Sequence, residues 1–66
     1  MKVTINGREE ALEEELTLLE LLQKKNLRPE IVAVELNKDI IDKTLYKSTP
    51  VKENDILEII HFIGGG

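Results

Sequence analysis

Asn6-Gly7 leaves little choice about how the chain begins. Before it, Met1, Val3 and Ile5 alternate with Lys2 and Thr4, the period of a half-buried strand. Asn-Gly suits a type I′ turn, whose two central residues both need positive φ. Arg8 to Leu12 then reads as the return strand of a hairpin. That segment is rich in glutamate and poor in strand propensity, so the hairpin itself has to supply the pairing. Glu13, Glu14 and Glu15 read as a solvated loop.

Thr17 marks a helix start. It stands three residues before Glu20, the spacing of a capping box in which each side chain satisfies the other's backbone amide. Leu16 and Leu21 flank the cap as a hydrophobic staple. Leu18, Leu19, Leu21 and Leu22 supply one apolar face. Lys24 and Lys25 suit the negative end of the helix dipole. Asn26 takes the left-handed cap, and Arg28-Pro29 prevents continuation.

Ile31 to Asn37 reads as a strand, with Val32, Val34 and Leu36 on one face and Ala33 and Glu35 on the other. Asn37-Lys38-Asp39 is a turn and Ile40-Ile41 a short strand. Asp42 to Lys47 reads as irregular, with one helical turn that tucks Leu45 inward. Pro50-Val51 and Glu53-Asn54-Asp55 read as turns. Asp55 to Ile63 is the last strand, with Leu57, Ile59, His61 and Ile63 on one face and Ile56, Glu58, Ile60 and Phe62 on the other.

Hairpin, helix, strand, short strand and final strand make an α+β fold: a mixed sheet of four to five strands with one main helix packed across it. With the first and last strands parallel at the centre, this is the β-grasp arrangement. Residues 1–63 form one such domain, and residues 64–66 a flexible glycine tail. A chain of 66 residues holds one domain with a modest core.

Composition removes several functions. There is no cysteine, so disulfides, thiolate metal sites and a cysteine nucleophile are excluded. A net charge of −4 makes nucleic acid a poor partner, and Tyr46 and Phe62 are too few aromatics for base stacking. No apolar run reaches the length of a membrane span, and the N-terminus does not read as a signal peptide, so a cytoplasmic location is expected. Ser48, the one serine, has no base at a useful spacing. Glu9, Glu10, Glu13, Glu14 and Glu15 lack metal-site spacing and read as a solvated edge. His61, without a second ligand or carboxylate nearby, reads as a partly buried strand residue near a domain edge. No catalytic residue, bound cofactor or metal is expected.

The tail carries the functional signal. Glycine weakens a strand and contributes no packing. Three glycines directly after a strand make a string without side chains, whose only reactive group is the carboxylate of Gly66. Gly64 and Gly65 would thread it through a narrow channel into another protein's active site. An ATP-dependent partner would adenylate that carboxylate, and sulfur from a persulfide donor would displace AMP to leave a thiocarboxylate. Ile60 and Phe62 fall on the sheet face away from the helix, with Ala33 able to join them. An exposed apolar patch of this kind marks a protein interface.

The segments VTING (residues 3–7), LTLLELL (16–22), AVELN (33–37), ENDILEIIHFI (53–63) and the closing GGG together resemble the ThiS family, the sulfur carrier proteins of thiamin biosynthesis. The resemblance covers nearly the whole chain. It implies a ubiquitin-like β-grasp fold, with Gly66 as the acyl carrier. It further implies activation by a ThiF-like adenylyltransferase and delivery of sulfur to a ThiG-like thiazole synthase. Members of that family often carry Gly and Pro near the turn after AVELN, where this chain has Lys38-Asp39 and Asp42. Two alternatives stand beside it. One is a sulfur carrier like the molybdopterin-synthase small subunit. The other is a β-grasp interaction module whose glycines are incidental.

Overall fold

Asn6 and Gly7 take φ values of 51° and 82° in the computed structural model. Both turn residues are thus left-handed, as the hairpin requires. The structure describes residues 1–62. The domain boundary at residue 63 and the tail residues Gly64, Gly65 and Gly66 lie outside the described residues.

Strand β1 (Lys2–Ile5) pairs antiparallel with β2 (Arg8–Ala11), and Ile5 lies opposite Arg8. Leu12 is buried just past β2, and its amide still donates to the Met1 carbonyl at 2.7 Å. Helix α1 (Leu18–Lys24) is capped as its sequence predicts. The Thr17 hydroxyl accepts from the Glu20 amide at 3.2 Å, and the Glu20 carboxylate accepts from the Thr17 amide at 2.8 Å. At the other end Asn26 turns left-handed with φ 59°. Its amide donates to Gln23 and the Leu27 amide donates to Leu22, which is the Schellman closure. A helix this short is unstable alone. Burial of Leu18, Leu21 and Leu22 against the sheet holds it in place.

Strands β3 (Val32–Leu36), β4 (Asp39–Ile41) and β5 (Ile56–His61) complete a five-stranded sheet of order β2-β1-β5-β3-β4. β5 runs parallel to β1 and antiparallel to β3. This mixed sheet with one helix across it is the β-grasp fold. Val3, Ile5, Val32, Val34 and Leu57 form the sheet's side of the core. The edge strand β2 is charged along Arg8, Glu9 and Glu10, which discourages pairing with another chain.

Two asparagines do more than turn the chain. The Asn6 side chain accepts from the Ile59 amide at 2.7 Å and donates to the Ile59 carbonyl at 3.2 Å. The Asn37 side chain accepts from the Ile56 amide at 2.9 Å and donates to Asp55 at 3.0 Å. Each sits in a turn between two other strands, so β5 is clamped from both sides.

The β3–β4 turn places Asn37 and Lys38 at φ 50° and 75°. Lysine is poorly suited to the second position. Lys38→Gly removes a left-handed penalty of roughly 1–2 kcal/mol and adds roughly 0.5–1 kcal/mol of backbone entropy cost. A small net stabilisation is expected in thermal unfolding, and a lower Tm for the glycine variant would contradict it.

Two expectations are corrected. Residues Lys43–Ser48 form a 3₁₀ helix in which Leu45 is 50% exposed and Tyr46 only 2%. The three-residue period sends Tyr46 inward, where its hydroxyl donates to the Val32 carbonyl at 3.3 Å, a bond leucine cannot make. Asp42 caps this helix. The hydroxyl and amide of Thr44 both donate to its carboxylate, which holds the Asp42 pKa below its ordinary value. The second correction concerns Pro50-Val51, which is not a turn. It runs as an extended strap beside the helix entrance. Val51 donates to Leu16 at 2.8 Å, Thr49 accepts from Leu18 at 2.9 Å, and Val51 is fully buried. The strap thereby satisfies a helix N-terminal amide that would otherwise lack a partner.

Candidate partner-docking face

β5 divides its side chains between two environments. Leu57 enters the core beneath the helix, and Ile59 packs partly against it. Ile56, Glu58 and Ile60 point to the open face. Ile60 is 53% exposed and Phe62, just past the strand, 58%. These two are therefore surface residues, not the edge of the core. The β3–β5 register sets Ala33 directly opposite Ile60 and Glu35 opposite Glu58. The register thus sets Ala33 beside Ile60, and Phe62 follows two residues past Ile60. Two more exposed residues lie on the open face: Ile56, which alternation already set there, and Ile40, which patterning did not single out. Ile56 is 54% exposed beside Thr4, and Ile40 on β4 is 80% exposed opposite Glu35. The signal for Ile40 was present: an isoleucine in a short strand whose register partner, Glu35, lies on the open face.

The end of β5 is tied down. The Phe62 amide donates to the Ile31 carbonyl at 2.9 Å. Lys43 donates to the Val32 carbonyl at 2.8 Å, and its ammonium lies 5.4 Å from the centre of the Phe62 ring. That distance allows a cation–π attraction. These contacts fix where the chain leaves the sheet before residue 63.

His61 lies on the opposite side. It is exposed rather than partly buried, and it lines a groove of about 460 Å³ with Ile5, Arg8, Lys25 and Ile59. Lys25 there contacts both oxygens of Glu10 at 2.8 and 2.9 Å, so Glu10 is half-buried and paired rather than part of a wholly solvated edge. Among the described residues, no three or more His, Cys, Asp or Glu side chains are grouped to hold a metal ion. No helix among them is long and apolar enough to cross a membrane.

A β-grasp domain that presents an apolar sheet face beside its emerging C-terminal strand belongs to the ubiquitin-like class. Residues 2–66 match the model of the ThiS family. The chain belongs to the ThiS family. It is 44% identical over 50 residues to the sulfur carrier protein ThiS of Bacillus subtilis, covering 76% of each chain. All of it aligns, at 41% identity, with 20% of a thiazole synthase from Magnetococcus marinus, so the chain spans about a fifth of that protein's length. The crystal structure of the thiamine biosynthesis protein ThiS from Geobacter metallireducens superposes with a TM-score of 0.86 at 35% identity over the whole of both chains.

Proposed function

We propose that this chain is a sulfur carrier protein of thiamin biosynthesis, a protein cosubstrate acted on by partner enzymes rather than a catalyst. The observation that carries this reading is membership of the ThiS family along nearly the full chain, together with the similarity to Bacillus ThiS. The carrier group is the carboxylate of Gly66. In the first step that carboxylate attacks the α-phosphorus of ATP on a ThiF-like adenylyltransferase, and pyrophosphate leaves. The terminal sulfur of a persulfide then attacks the acyl carbon and expels AMP. A second thiol cleaves the resulting acyl disulfide, is oxidised to a disulfide with the donor, and leaves the thiocarboxylate. A ThiG-like thiazole synthase accepts that sulfur. Gly64 and Gly65 let the chain end enter each active site, because neither has a side chain to obstruct a narrow channel. Ala33, Ile60 and Phe62 hold the domain against the partner while the end is inside.

Intact mass tests this directly. Incubation with ATP, the adenylyltransferase and a persulfide donor is expected to add the difference between sulfur and oxygen. Deletion of Gly66 is expected to abolish the gain. A wild-type chain whose mass never changes under these conditions is not a carrier.

A further inference from the structure

The open sheet face holds an unfavourable arrangement at its centre. Glu35 of β3 and Glu58 of β5 are directly opposite in register. Side chains in such a pair start about 4.5–5.5 Å apart at Cβ, where like charges repel. The two ion pairs among the described residues, Lys25–Glu10 and Arg28–Glu30, involve neither carboxylate. Half-buried Ala33 and exposed Ile60 form the adjacent rung, and Ile40 lies opposite Glu35 on the other side. A wholly apolar partner covering this face would bury two uncompensated charges, which costs far more than the apolar contact returns. A partner that docks here has to bring a cation. Arginine fits best, because its planar guanidinium has five donors and can bridge two carboxylates.

We propose that Glu35 and Glu58 together receive one arginine side chain from the surface of the thiazole synthase on which this face docks. This presupposes the carrier function proposed above and adds the chemistry of the partner's contact surface. Two observations favour this occupant. In two proteins named thiazole synthase, from Magnetococcus marinus and Paramagnetospirillum magneticum, a stretch matching all 66 residues of this chain is part of the same polypeptide. Charge also argues against a second copy of this chain, since two-fold docking through this face would set one pair of carboxylates against the other.

The test is calorimetric titration of the protein against the thiazole synthase of its own organism, at low and high salt. The variant is the double substitution Glu35→Gln and Glu58→Gln. At low salt it is expected to bind at least about tenfold more weakly than wild type, with much less dependence on salt. The isolated variant is expected to melt at the same temperature or higher, because the repulsion is gone; this separates lost contact from lost fold. An unchanged Kd and salt slope overturns the proposal. So does a variant altered only in self-association by sedimentation. If the wild type still gains sulfur mass in either of those cases, the carrier function stands without this contact. If the wild type gains no mass, the carrier function itself falls.

Discussion

Tyr46→Ala is expected to leave about half or more of the molecules unfolded at room temperature, while Tyr46→Phe folds. Tyr46 is 2% exposed and is the largest fully buried side chain. Truncating a buried aromatic to alanine costs roughly 3–5 kcal/mol. A single core in a chain of this length supplies roughly 3–5 kcal/mol in total. The loss therefore matches the whole stability. Phenylalanine keeps the volume and gives up one hydrogen bond, worth about 1 kcal/mol. The Val32 carbonyl is not orphaned by that change, because Lys43 still donates to it at 2.8 Å. Circular dichroism and thermal melting distinguish the two variants, and a cooperative melt for Tyr46→Ala near that of wild type would contradict the assignment. The same residue predicts a pH dependence. Burial pushes its phenol above the ordinary value of 10.0. As pH rises past that ordinary value, the unfolded chain releases a proton that the folded chain retains, so stability falls. Tyr46→Phe is expected to lack that part of the alkaline loss.

The second large effect concerns the open face. Phe62→Asp and Ile60→Asp are each expected to weaken partner binding by about thirtyfold or more, the loss typical of a residue central to an interface. Both are expected to leave the fold intact, since each side chain is more than half exposed. At position 62 the change also keeps Lys43 supplied with a favourable neighbour, because a carboxylate replaces the ring face. Binding to the partner enzymes proposed above measures the loss, and the melting curve monitors the fold. Unfolding of Phe62→Asp would place that ring in the core, against its observed exposure.

Local chemistry carried most of the fold. The Asn6-Gly7 turn, the Thr17–Glu20 cap, the Asn26 closure and the division of β5 into two faces were all legible because each is set by residues close in sequence. The failures share a different cause. Leu45 and Tyr46 are adjacent, and only the phase of a 3₁₀ helix against a distant carbonyl decides which turns inward. Val51 looked like a turn residue because its partner, Leu16, lies far away in the chain. Asn6 and Asn37 were readable as turn formers, but their grip on β5 depends on a strand that periodicity cannot position. On the open face, the pairing of Ala33 with Ile60 and the exposure of Ile60 and Phe62 agree with the alternation. The facing of Glu35 and Glu58 needed the register of β3 against β5.

The place of β5 in the sheet has a consequence for how the protein is made. β5 is the last of these five strands to leave the ribosome, yet it lies between β1 and β3 and joins the two halves of the sheet. Until it emerges, the β1–β2 hairpin and the β3–β4 hairpin have no shared neighbour, and a lone hairpin is marginal in water. Folding therefore waits for the end of translation of this segment. A nascent chain interrupted before β5 lacks the Ala33–Ile60 rung of the open face and the strand that joins the two halves of the sheet. Chains that lack β5 remain unfolded and open to proteolysis.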